Sequence, residues 1–341
     1  MNHEDAVNLV GRRNFSRRGA LQVGLAGAAS LALSRAAAGD ETQGKPRSKD
    51  QPAAQPEKAT GGVEKGAIDA HVHVWTPDLN RYPLAKGFTV ADMKPPSFTP
   101  EQLFAHARPC GVDRVVLIQM SFYGFDNSYM LDCMREYPGT FSGVAVIDEN
   151  ASQPEVTMRD LARQKVRGFR IYPDKQKPQA WIATPGMARM WKCGGEDGLA
   201  MCALINPDTL PLVDEMCKKF PDTPVVVDHF GRIGMDGTIH DRDVDNLCRL
   251  ARHKQTSVKI SAYYALGKKT PPYTDMGPLV RRLLDAFGRE RLMWASDCPF
   301  QVDPGHNYRD SIELVRTRLD FLSPSDRSWL LAKTAQRVFF S

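Results

Sequence analysis

The chain has 341 residues, 42% hydrophobic and 25% charged, with a net charge of +5. These proportions belong to an ordinary folded protein and exclude a disordered, collagen-like or polytopic membrane chain. Residues 1–38 carry five arginines against Glu4 and Asp5 and supply +3 of the charge. The nearly neutral remainder offers no clustered basic stripe for nucleic-acid phosphates.

The first 38 residues read as an export signal: a positive start, an apolar run from Ala20 to Leu33, then Ala36-Ala37-Ala38 before Gly39 as a cleavage site. The run has 14 residues, short of the ~20 that cross a bilayer, so it predicts a removable signal and no stable membrane anchor. Ser16-Arg17-Arg18-Gly19-Ala20-Leu21 abuts the run and is similar to a twin-arginine motif, which implies export of a folded protein to the periplasm; a Sec signal with extra charge is the alternative. Residues 39–66 are almost devoid of large apolar side chains, carry five positive and five negative charges, and read as a flexible linker. The folded body is expected over 67–341. It contains seven cysteines and no C-x-x-C pair, and mostly free, buried thiols are expected.

Eight short apolar runs follow, beginning at Ile68, Asp113, Phe141, Val166, Leu199, Thr223, Ser257 and Arg291, with amphipathic stretches between them. Their starts lie 24 to 45 residues apart, one β-α unit each, and near-continuous apolar strands suit a sheet covered on both faces. The count predicts a closed (β/α)8 TIM barrel, with 308–321 and 324–339 as closing helices. An open doubly wound sheet is the alternative, but no G-x-G-x-x-G follows the first strand.

Residues i and i+2 of a strand share a face, so Asp69, His71 and His73 are expected to project together. The sixth run ends in D-H-x-G-R, Asp228 to Arg232, and the eighth in S-D-x-P, Ser296 to Pro299. Strand ends meet at the mouth of a barrel, which brings His71, His73, His229 and Asp297 into one basin. By the same parity Gln119 and Ser121 on the second strand, and Lys259 and Tyr263 on the seventh, could line the mouth or be structural. His306 falls in the loop after the eighth strand, either at the functional face or simply solvated.

IDAHVHVW, VRGFRIY, VVVDHFGR and WASDCPF, in that order, resemble the amidohydrolase-related (amidohydrolase-2) branch of the amidohydrolase superfamily. The subgroup they suggest contains 2-pyrone-4,6-dicarboxylate lactonase and the fuconolactonase-like and rhamnonolactonase-like enzymes. The likeness implies a TIM barrel and a hydrolase acting on a sugar-acid or carboxylate-bearing lactone. Where a two-metal relative has a bridging Lys or Glu on strand four and a His on strand five, this chain has Arg170 and Tyr172, then Asn206. The expectation is no metal, or a single Zn or Mn held by His71, His73, His229 and Asp297. Cys298 stands where the family often has Trp, as a metal ligand or a small buried hydrophobe.

Lactone hydrolysis needs a base for water, polarisation of the carbonyl and anchors for the substrate's polar groups. Asp297 is the candidate base, and His71, His73 and His229 the candidate polarising groups. Arg170 and Arg232 would supply two-pronged donors for a carboxylate, unless they form rim salt bridges, and Gln119 and Tyr263 would line the substrate site. No general acid is evident. A metal-dependent decarboxylase of the same barrel and a non-catalytic sugar-acid binding protein are the competing expectations; the oligomeric state is not legible.

Overall fold

The structure is a computed structural model that describes residues 66–173 and 178–341. The export signal and nearly all of the linker lie outside the described residues. All eight expected strands are present: β1 Ala67–Val72, β2 Val112–Ile118, β3 Phe141–Ala145, β4 Val166–Ile171, β5 Ala200–Ala203, β6 Val225–Val227, β7 Thr256–Ile260 and β8 Leu292–Trp294. They pair in parallel, in sequence order, as one sheet. The ring closes just beyond β8, where a parallel bridge joins Val72 to Cys298 and the backbone N–H of His73 donates to Cys298 O at 2.8 Å. Helices lie between the strands, and the barrel with its helical coat is that of a TIM barrel.

Two apolar layers follow from strand alternation. The smaller fills the barrel: Ile68, Ala70, Val116, Ile118, Val144, Ala200, Cys202, Val226, Met293 and Ala295. The larger packs the outer strand faces against the helices. Small residues dominate the inner layer at β4 and β5, where a Cβ on Gly168 would stand 3.0 Å from Cys202 Sγ and 3.1 Å from Ala200 O. The expected closing helices form: Tyr308–Glu313 continues as a π-helical stretch Leu314–Arg318, and Pro324–Ser328, the π-helical Trp329–Lys333 and Thr334–Phe339 run on as one helix. The second sends Ala335 and Phe339 into the inner layer, and Phe339 is fully buried. Its ring also lies 5.3 Å beneath the ammonium of Lys259 on β7. All seven cysteines are free, six buried and Cys248 half-buried.

β1 departs from simple alternation. Its register with β2 shifts between Asp69 and Val72, so Ala70 belongs to the inner layer and Val72 to the outer one. The bulge separates Asp69 from the two histidines, contrary to the parity argument. Asp69 turns to the helix layer, where its carboxylate accepts from Tyr308 OH at 2.7 Å and from the backbone N–H of Ser296 at 2.9 Å. Bulges re-aim side chains next to barrel sites, and this one frees His71 and His73 to face inward.

Truncating the aromatic plug should be costly. Phe339→Ala is expected to lower unfolding stability by about 3–5 kcal/mol, read from the urea midpoint of the purified body. A loss below about 1 kcal/mol would show that the ring does not seal the barrel.

Candidate active site

Four strands deliver the central groups. His71 and His73 come from the bulged end of β1, Asp228 and His229 follow β6, Lys259 lies on β7, and Asp297 follows β8. All six are buried. Asp297 Oδ1 lies 3.4 Å from His71 Nε2 and 3.4 Å from His73 Nε2, and the two imidazole nitrogens are 3.3 Å apart. Asp297 Oδ2 accepts from Tyr264 OH at 2.7 Å and stands 3.7 Å from His229 Nε2. The four strand-end residues singled out from the motifs therefore do share one basin.

Each ring is oriented from behind. His73 Nδ1 donates to the carbonyl of Ile118 at 2.9 Å, which leaves a lone pair on Nε2. His229 Nδ1 is 2.8 Å from Ser261 Oγ. His71 has cations at both nitrogens: Lys259 Nζ is 3.2 Å from Nδ1, and the Arg170 guanidinium is 3.2 Å from Nε2. Beneath it Asp228 forms an ion pair with Lys259 at 3.0 Å and stands 3.8 Å from Arg170.

These surroundings keep the imidazoles neutral. Burial pushes His71 well below its ordinary range, with Lys259 and His229 adding to the effect. Burial likewise lowers His73, and lowers His229 to about 4 although Asp297 and Asp228 oppose it. For Asp228 burial raises the pKa, but the attraction of Lys259, helped by a hydrogen bond from His71, outweighs it and holds the carboxyl well below the usual range. Tyr264 is pushed well above 10 by burial and by Asp297, so its hydroxyl remains a donor. Asp69 is raised by burial to about 6.

The backbone here is under strain. His229, Phe230, Gly231 and Arg232 form an unbroken left-handed run with φ of 52°, 54°, 62° and 59°, and Asp297 has φ of 67°. Left-handed non-glycine residues cost on the order of 1–2 kcal/mol each and persist where their surroundings over-determine them. The run places His229 over Asp297 and swings Arg232 towards Asn206, whose Oδ1 accepts from it at 3.3 Å.

A cavity of about 570 Å³ opens above the basin. Asp297, His229 and Tyr264 form its polar floor, and Lys94, Arg232 and Lys269 stand among its walls with Phe300 and Asp303. A larger cleft of about 1140 Å³ at the opposite end, near Arg167, Pro224 and Arg337, contains none of the basin residues.

Several expected wall residues lie elsewhere. Arg170 is drawn into the floor beside His71 and Asp228, because buried carboxylates demand cations. His71 and His73 back the carboxylate from below and are absent from the cavity wall. Gln119 is buried and donates to the carbonyl of Asp126, pinning the loop after β2. Tyr263 is buried against Phe230 and Tyr273 and donates to Ile260 O at 2.9 Å. Parity fails because β7 ends at Ile260 and Ala262 is left-handed with φ of 60°, so Tyr264, the next residue, reaches the site. Ser121 opens a short turn after β2, and His306 pairs with Tyr273 OH at 2.8 Å. Cys298 is fully buried, and burial raises its thiol well above the ordinary range, as suits a small hydrophobe.

The motifs assign no role to Asp228, and Tyr264, Lys94 and Lys269 lie outside them. One signal was present: a lysine inside a buried strand, SVKIS, requires a buried anion, and the neighbouring strand ends in Asp228.

Residues 68–340 match the family Amidohydro_2, described as amidohydrolase. The chain belongs to the amidohydrolase family. It is 26% identical over 284 residues to a 4-sulfomuconolactone hydrolase of Hydrogenophaga intermedia, covering 80% of this chain and 88% of that one. It is 27% identical over 248 residues to an L-fucono-1,5-lactonase of Burkholderia ambifaria, covering 70% and 82%. In fold it resembles an amidohydrolase of Burkholderia multivorans crystallised with zinc, with a TM-score of 0.68, 23% identity, and coverage of 80% and 99%.

Amidohydrolase barrels can hold metals, and His71, His73 and Asp297 converge here closely enough to be a donor set. The triangle His71 Nε2, His73 Nε2, Asp297 Oδ1 has edges of 3.3–3.4 Å. A tetrahedral zinc site with bonds of about 2.1 Å has edges of about 3.4 Å, so the spacing alone suits a metal. The charge does not. Lys259 and Arg170 both pair with Asp228, and the Arg170 guanidinium 3.2 Å from His71 Nε2 already faces the lone pair that a metal would need. A resident divalent ion would have to displace that buried cation from His71, and this arrangement does not fit one.

The depressed imidazoles set the acid response. The folded state disfavours protonated His229, so its contribution is complete above about 6.5 and is lost as pH falls towards 4, amounting to about 3 kcal/mol. Asp69 works in the opposite sense between 3.8 and about 6 but is one group against three histidines. The urea midpoint is therefore expected to fall between pH 6.5 and 4; a flat midpoint over that range would contradict neutral buried imidazoles.

Proposed function

We propose that the protein is a lactonase that opens a carboxylate-bearing lactone, with Asp297 as the base for water. The observation that carries this reading is a buried carboxylate with one oxygen backed by His71 and His73 and the other facing a cavity rimmed by Lys94, Arg232 and Lys269. The two relatives named above as a lactone hydrolase and a lactonase support the reaction class.

In this mechanism a water set against Asp297 Oδ2 gives up a proton as it attacks the lactone carbonyl. His229 is neutral with Nδ1 2.8 Å from Ser261 Oγ, and the tautomer that this mechanism uses takes the Ser261 proton at Nδ1 and turns Nε2–H to the developing oxyanion. His71 and His73 pack against Asp297 Oδ1, His73 without donating to it, and the pair Asp228–Lys259 with Arg170 fixes His71. Arg232, Lys94 and Lys269 approach from three different loops and would grip the substrate's acid group, Arg232 with its planar fork. The cationic rim favours an anionic lactone over a neutral one. A decarboxylase that relies on a metal is disfavoured by the guanidinium at His71 Nε2, and a binding protein would have no use for a strained, buried base. We further propose, from the leader alone, that the body works in the periplasm after twin-arginine export.

The direct test is hydrolysis of a lactone panel by the purified body. Asp297→Asn is expected to lower kcat/KM by at least about 10³-fold while circular dichroism and thermal stability are retained. Wild-type turnover is expected to survive EDTA, and a chelator-sensitive activity restored by zinc or manganese would replace the base mechanism with a metal one.

Arg232→Ala should raise KM for a carboxylate-bearing lactone by about 10–100-fold and change kcat much less, since it removes binding shared by ground and transition states. An unchanged KM would remove Arg232 from the substrate.

A further inference from the structure

A lactone leaves as an alkoxide when its ring oxygen is bonded to saturated carbon, and that oxygen needs a proton as the C–O bond breaks. Nothing in the sequence motifs supplies a donor. The basin does: Tyr264 OH is 2.7 Å from Asp297 Oδ2, and both side chains line the cavity floor. The other Asp297 oxygen is enclosed between His71 and His73, whose rings are absent from the cavity wall, so Oδ2 is the oxygen that can exchange protons with a bound substrate. The tyrosine belongs to the loop after β7, and its ring packs 6.2 Å from Phe300 and 6.2 Å from His306. These contacts hold the hydroxyl beside the carboxylate.

We propose that Tyr264 is a catalytic residue of the lactonase reaction, delivering the proton to the leaving ring oxygen and regaining one from Asp297. The balance closes without any further reactant. Water attacks the carbonyl carbon, forming a C–O bond, and its proton passes to Asp297 Oδ2. The tetrahedral intermediate then collapses: the ring C–O bond breaks, the leaving oxygen takes the Tyr264 proton, and the phenolic oxygen takes the proton held on Oδ2. Tyrosine and carboxylate return to their starting states, and the hydroxy acid product releases its carboxyl proton to solvent. The inference rests on the lactonase reading and adds the general acid which that reading lacks.

The test compares two leaving groups. L-fucono-1,5-lactone expels a secondary alkoxide, which needs a proton, and 2-pyrone-4,6-dicarboxylate expels an enolate, which is stable without one. Tyr264→Phe is expected to lower kcat by about 100-fold on the first and by less than about 3-fold on the second, with KM and thermal stability near wild type. A tyrosine that only positions Asp297 would cost both substrates equally, and equal losses overturn the proposal. So does wild-type kcat in the variant on the alkoxide substrate, or a large loss on the enolate substrate measured alone. If the wild-type protein opens neither lactone, the lactonase reading falls and this role falls with it; differential loss in an active enzyme speaks to Tyr264 alone.

Discussion

A buried carboxylate between two buried cations holds the centre of this barrel together. Asp228 lies under the mouth 3.0 Å from Lys259 and 3.8 Å from Arg170, all at or near full burial, and none could stand there alone. Isolated burial of any one would cost several kcal/mol, so the trio is stable only as a set. His71 sits at its midpoint, touched by Lys259, Arg170, Asp228 and Asp297. Its neutrality and the poor fit for a divalent ion both follow from the cations that Asp228 holds at its two nitrogens.

The same cluster explains the division of labour within the basin. One layer, made of His71, His73, Arg170, Lys259 and Asp228, faces protein on all sides and positions groups. A second, made of Asp297, His229 and Tyr264, faces the cavity. The deeper layer is supported in turn by the aromatic seal at the far end, because Phe339 lies against the ammonium of Lys259. Packing at the closed end and chemistry at the open end thus share one side chain.

The barrel was legible because its evidence is redundant. Eight apolar runs, each buried on both faces, repeat at helical intervals, and an error in one would not have hidden the other seven. The strand-end residues His71, His73, His229 and Asp297 were legible for a related reason, since closure of the ring brings any strand ends together. What failed was parity at points where the backbone leaves the strand. The β1 bulge turned Asp69 outward, and the left-handed Ala262 exchanged Tyr263 for Tyr264. Alternation cannot register an inserted residue or a positive φ in a non-glycine side chain. Arg170 was located on the correct strand, but its pull towards buried Asp228 depends on a pairing between β4 and the end of β6 that no local pattern encodes.

The left-handed turn from His229 to Arg232 couples two properties that enzymes usually adjust separately. One end of it presents the imidazole over Asp297, and the other presents the guanidinium at the cavity rim, with only Phe230 and Gly231 between. A substitution that relaxed any of the four residues towards ordinary backbone would rotate both ends at once. Substrate preference in this barrel is therefore free to drift through Lys94 and Lys269, which sit on independent loops, while Arg232 is tied to the reaction centre by its own main chain.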